Sequence, residues 1–298
     1  MVCAKLGFGD MILFFVRFSL SIWNGANRLL FNNLTKTPEN FSGGAAWSKL
    51  MEFDWIFKGV GASLVATFML VSFCMESIDL KESFRAENLL GYFIRLSVAE
   101  VLVVFHAEIV QEVFKITGGM VKLLLGSSAF GLTLTPEQEQ CLLNFNVNSW
   151  TEILDILAGL IVLLLAFIVL LIMLVMAGGI FFITYFRFIR ILIMVPYGAL
   201  AFSTVSGNRI FNETAINYIK NMLVLALDGV TMALALVVCN AFVSGGNIVP
   251  LPDNKILEGW LSMGEACITM FEMVITVGIT AGMVGTADRL TTRLFRIV

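Results

Sequence analysis

Asp228 and Glu272 lie near the middles of two long apolar runs, 216–243 and 262–287. Arg95 and Glu100 interrupt a third run, 88–105, with His106 at its outer end. An ionisable group in hydrocarbon is costly and usually faces protein or a wet cavity. Glu265 precedes Glu272 by seven residues, and Thr269, Thr276 and Thr280 recur on the same helical face. Two chemistries fit this pattern. Asp228, Glu272 and Arg95 suit a proton or ion path. The wider set of Arg95, Glu100, Asp228, Glu265 and Glu272 suits an intramembrane polar seam, in which charges and hydroxyls join helices or subunits. The seam is favoured, because a coupling path needs more convergent carboxylates. His106 reads as an interface residue rather than a ligand.

Catalytic signatures are absent. GSSAFGL at 126–132 lacks the lysine of a phosphate-binding loop, and there is no HExxH or GxSxG. No nucleophile–base pair stands at a useful spacing. The expectation is a non-enzymatic chain with no catalytic residue and no cofactor. The five cysteines show no CxxC spacing, so neither a disulfide framework nor a metal site is expected.

The elements that hold these residues follow from composition. Of the 298 residues 58% are hydrophobic and 14% charged, with mean hydropathy +0.91. A soluble domain has about 25% charged residues, so lipid is the better solvent for this chain. Its net charge of −3 comes without a basic block, which excludes direct electrostatic binding of nucleic acid. Crossing ~30 Å of hydrocarbon takes about 20 apolar residues in a helix. The runs 56–75, 153–183, 216–243 and 262–287 meet that length, and 88–105 is a fifth candidate.

Three further stretches are apolar but mixed. Residues 10–31 carry Asp10, Arg17, Asn24 and Arg28, and 107–125 carry Glu108, Gln111, Glu112, Lys115 and Lys122 on one face. Both read as interfacial amphipathic helices; for 107–125 a span with its polar side on protein is the other reading. The third, 187–206, has Pro196 near its middle. Proline removes a ladder hydrogen bond, and broken backbone at membrane depth must face protein or a cavity. A re-entrant or kinked segment is expected there. Basic residues favour the cytoplasmic side. Arg289, Arg293 and Arg296 put the tail inside, and Arg187 and Arg190 agree if 187–206 does not cross. The expected fold class is therefore all-α: a polytopic membrane protein of about five transmembrane helices, N-out and C-in, with interfacial helices and one proline-broken segment.

Small residues add a packing signal. Gly278 and Gly282 form a GxxxG, and Gly285 follows Ala281 at the same spacing. Packing of helices within one subunit is the expected use, and self-association the sharper alternative.

One segment resembles a known family. Arg187 and Arg190 lead into Pro196-Tyr197-Gly198-Ala-Leu-Ala201, then a polar loop with Asn208 and Arg209, then Asn217-Tyr-Ile-Lys-Asn221. This resembles the TrbL-like polytopic inner-membrane channel subunit of conjugative type IV secretion systems. The order of spans and the outer loop between the second and third are also similar. The resemblance implies a non-enzymatic channel or scaffold subunit in the bacterial cytoplasmic membrane. It implies a homo-oligomer in membrane lipid, contact with other secretion-system subunits including a separate ATPase, and nucleic acid met only as transported, relaxase-linked substrate. The alternative function is an ion- or proton-coupled small-solute transporter using Asp228, Glu272 and Arg95. The expected organisation along the chain is an extracytoplasmic or interfacial segment 1–55, two spans and an amphipathic helix in 56–125, an outer loop 126–150, and a C-terminal bundle with cytoplasmic tail in 151–298.

Overall fold

A computed structural model describes residues 8–76, 86–125, 131–134, 136–143, 153–207, 209–244 and 261–294. They form α1 (Phe8–Leu34), a 3-10 turn (Phe41–Gly44), α2 (Ala45–Glu76), α3 (Ala86–Val104), α4 (His106–Leu125), α5 (Pro136–Leu143), α6 (Ile153–Ser203), a second 3-10 turn (Thr204–Ser206), α7 (Arg209–Ser244) and α8 (Leu261–Leu294). No strand occurs among the described residues. The fold is all-α, and four helices are long and apolar enough to cross a membrane: Ala45–Met75, Gly159–Ser206, Phe211–Ala241 and Ala266–Ala287. The protein is accordingly an all-α polytopic membrane protein.

Two of these helices correct the boundaries read from sequence. α2 begins at Ala45 rather than 56, so Asp54 and Lys58 lie well inside it. The expected separate segment 187–206 is the second half of α6, which runs through Pro196 without a break. Proline forfeits only the hydrogen bond to the Leu192 carbonyl, and a helix surrounded by protein tolerates that loss. The Tyr218 hydroxyl donates to the nearby Met194 carbonyl at 3.2 Å. α6 ends where hydroxyls take over its last carbonyls: Ser203 donates to Leu200 and Thr204 to Ala201, each at 2.6 Å. The run at 88–105 is a helix, α3, outside the four.

The chain divides into two compact units that interleave along the sequence. One takes Met1–Asn32, Leu124–Ile183 and Met232–Thr286; the other takes Asn33–Leu123, Thr184–Thr231 and Ala287–Val298.

In the first unit α1 buries Ile12, Val16, Leu20, Trp23 and Leu30, an inward stripe at spacings of four, four, three and seven. Asp10, Arg17 and Arg28 stay exposed, as an amphipathic helix requires. Asn24 fixes the 131–134 stretch by two backbone hydrogen bonds to Leu132, each 3.0 Å. α8 turns Thr269, Thr276 and Thr280 inward.

The core of the second unit is built from α2, α3, α4, the end of α6 and the start of α7. Phe188, Ile191, Val195, Ala199 and Phe202 of α6 meet Ala215, Tyr218, Met222 and Leu225 of α7 in one cluster. α4 contributes Ala107, Val110 and Phe114 to it, while Glu108, Glu112, Lys115 and Lys122 stay exposed. The polar stripe of 107–125 therefore faces away from the core, as its spacing predicts. The Lys115 ammonium is held above the ordinary lysine pKa by its hydrogen bond to, and charge attraction from, Glu112. Ile116 and Leu123 are also exposed, at 66% and 81%, which leaves α4 a greasy flank beside its charged one.

Candidate functional site

Between lipid-immersed helices, apolar side chains supply little drive for association, so close packing and polar contacts decide which faces meet. The second unit holds two such polar centres.

Arg187, on α6, is 6% exposed and Asp228, on α7, 2% exposed. Arg187 Nε lies 3.8 Å from Asp228 Oδ2. The guanidinium donates to the Leu225 carbonyl from Nε at 3.2 Å and from Nη2 at 3.1 Å, and to the Ala226 carbonyl from Nη2 at 3.4 Å. Gly229 makes this approach feasible: a Cβ there would stand 2.5 Å from Nη2 and 2.8 Å from Cζ. The Phe188 and Phe114 rings flank the cation, with centroids 5.5 and 6.0 Å from Cζ, within cation–π range. Arg187 thus spreads its charge over a carboxylate, two carbonyls and two rings, which offsets the cost of burying it.

The second centre joins α2 to α4. Asp54 is 4% exposed and His106 fully buried. Lys58 Nζ sits 3.0 Å from Asp54 Oδ2, and His106 Nε2 sits 3.1 Å from Asp54 Oδ1. That second pair is close enough for attraction but lacks hydrogen-bond angles. His106 Nδ1 is 2.8 Å from the Val103 carbonyl, at the turn between α3 and α4. Two glycines let α6 approach. A Cβ on Gly198 would meet the Tyr218 hydroxyl at 2.6 Å and His106 Cδ2 at 3.1 Å, and one on Gly61 would meet the Ala199 carbonyl at 2.9 Å. The Ser206 hydroxyl also reaches the Val65 carbonyl at 2.9 Å.

The first unit holds a polar cavity of about 30 Å³, lined in part by Trp23, Asn27, Asn240, Thr276 and Thr280. It is large enough for a water molecule. Asn27 Oδ1 is buried there without a hydrogen-bond partner among the described residues.

The polar residues singled out from sequence divide accordingly. Asp228 and Arg187, placed in different groups by sequence reasoning, form one pair. Arg95 is exposed and Glu100 half-buried. Glu272 is half-buried and belongs to the first unit, whereas Asp228 belongs to the second. His106 is buried beside Asp54. Arg190 and Tyr197 are exposed, and Pro196 and Gly198 buried. The side chains of Glu265 and Arg209 lie outside the described residues, as do Asn208, Arg296 and the loop 245–260. Gly278 and Gly282 have open space where a Cβ would stand, and Gly285 has only an ordinary 3.6 Å contact with Ile183. The expected close helix approach within the subunit is therefore not made by these glycines among the described residues; Gly61, Gly198 and Gly229 make it instead. Among the described residues no three His, Cys, Asp or Glu side chains gather as a metal-binding set.

Sequence reasoning missed Asp54 and Lys58. Their i,i+4 spacing inside a helix was the available signal, hidden by starting the span at 56.

Comparison with family models, curated proteins and solved structures returns no match. What fold and site define is a class: an all-helical polytopic membrane protein whose second unit is fastened by two buried polar centres.

Proposed function

We propose that this chain is a non-enzymatic channel or scaffold subunit of a conjugation-type, type IV secretion machine in the bacterial cytoplasmic membrane. In this reading copies of the chain associate side by side, and a separate ATPase supplies the energy to move relaxase-linked DNA or protein. The supporting observation concerns the segment 187–221 that resembles the TrbL-like subunits. Its distinctive residues join α6 to α7: Arg187 rests on α7 carbonyls, and Gly198 leaves room for the Tyr218 hydroxyl. The segment is a fastened two-helix element, the kind of rigid part a scaffold needs.

The transporter reading has less behind it. Arg95 is exposed, and Asp228 is bound up with Arg187.

Pull-down of the full chain from native membranes tests the proposal. Co-purification of several copies with secretion ATPase or pilus components is expected. Recovery as a monomer alone, with Asp228→Asn and Glu272→Gln variants that abolish proton-coupled flux in liposomes, would sink it. Maleimide labelling of Cys141 from the outer face tests the proposed N-out, C-in orientation.

A further inference from the structure

The polar cavity of about 30 Å³ lies within one unit, where three helices meet: α1 brings Asn27, α7 brings Asn240, and α8 brings Thr276 and Thr280. Asn27 is 7% exposed, and its Oδ1 has no hydrogen-bond partner among the described residues. Thr276 and Thr280 are buried too, and Thr276 stands near the midpoint of the Ala266–Ala287 span. The surroundings of a span at that depth are hydrocarbon, which offers an amide oxygen no hydrogen bond. Thr280 cannot supply one either. Its hydroxyl gives its hydrogen to the Thr276 carbonyl at 2.8 Å, so to any other neighbour the Thr280 oxygen can only accept.

We propose that this cavity is a water-binding site, in which one resident water ties α1 to α8. The water donates one hydrogen to Asn27 Oδ1 and the other to Thr280 Oγ1, two acceptors that have nothing to give each other. Thr276 and Asn240, also on the lining, offer the third bond that a buried water usually makes. Size and charge select this occupant. The volume suits a single water, and no charged side chain lines the cavity among the described residues, so a metal ion would shed its hydration shell and find no countercharge. The tie is a hydrogen-bonded bridge at membrane depth, made where the helices have no direct polar contact to offer Asn27. Nothing in this depends on the secretion reading.

Water-edited solid-state NMR tests it. The full chain, 13C-labelled at asparagine, is held in lipid bilayers, and the Asn27 side-chain carbonyl is assigned by its loss in Asn27→Ser. Magnetisation is expected to pass from water to this buried carbonyl about as fast as to that of Asn40, which is exposed. A several-fold slower build-up overturns the proposal. Thr280→Val keeps the shape of the side chain and removes the second acceptor, so transfer to Asn27 is expected to slow; an unchanged rate overturns the bridge. A shift of the Asn27 signal when choline replaces sodium and potassium in the buffer would mark a cation in the cavity, and also overturns it. If Thr280→Val fails to fold, the wild-type build-up decides alone.

Discussion

Replacing Gly229 with alanine adds one methyl group at the point where Arg187 meets α7. The new Cβ would stand 2.5 Å from Nη2, and ordinary contact begins at 3.4 Å, so the guanidinium must retreat by about 0.9 Å. An arginine tip swings easily where it is free, but this one is pinned. The carbonyls of Leu225 and Ala226 point along the helix toward residue 229, so a retreat from Gly229 is also a retreat from them. The Nη2 contacts at 3.1 and 3.4 Å then pass out of hydrogen-bonding range. A hydrogen bond to a charged group contributes about 1.5–3 kcal/mol, and losing one or two leaves a destabilisation of about 3 kcal/mol, roughly a hundredfold in the folded-to-unfolded ratio. Thermal or denaturant unfolding in detergent, followed by tryptophan fluorescence, measures it. The control is a double-mutant cycle with Arg187→Met, which removes the group being struck. Gly229→Ala is expected to cost much less in that background, a coupling of more than ~1 kcal/mol. A neutral Gly229→Ala, or effects that simply add, would refute the argument that the glycine exists to admit the guanidinium.

Three other outcomes follow from the same contacts. Gly198→Ala drives a Cβ to within 2.6 Å of the Tyr218 hydroxyl and should cost about 1–3 kcal/mol; Tyr218→Phe, mildly destabilising in the native chain, should stabilise this variant, as melting curves of all four proteins will reveal. Gly61→Ala presses a methyl on the Ala199 carbonyl at 2.9 Å, where backbone must yield, so a loss of about 1–3 kcal/mol is expected by the same assay. Gly282→Leu enters open space and should leave monomer stability within about 0.5 kcal/mol, whereas loss of a cross-linked ladder in membranes would place that face between copies of the chain.

How much of this was legible beforehand differs between levels. Span lengths come from hydropathy, a property of the residues themselves, and α7 and α8 lie close to where the apolar runs put them. The amphipathic faces of α1 and α4 were equally readable, because helical periodicity fixes which side chains share a face. The start of α2 was not. Asp54 and Lys58 look like the flank of a span until His106, fifty residues on, is brought beside them. The same holds for Arg187 and Asp228: each is visible as a charge in an apolar run, but their pairing depends on how α6 lies on α7. Glycines are the extreme case. Gly278 and Gly282 have the recognised spacing and stand in open space, whereas Gly61 and Gly198 have no such spacing, Gly229 has it only with Ala233, and these three take the close contacts. Spacing records what a helix permits; the neighbour decides what is used.

The long apolar helix also bears on how the chain enters a bilayer. Its 51 residues measure about 77 Å at 1.5 Å per residue, more than twice the hydrocarbon thickness. From Gly159 to Ser206 the only charged side chains are Arg187 and Arg190. An insertion machine that reads charge to set orientation therefore meets two consecutive spans' worth of grease with a single topogenic mark in it. Of those two arginines, one is withdrawn into protein and the other, Arg190, is left on the surface, so the instruction for folding and the instruction for threading sit three residues apart.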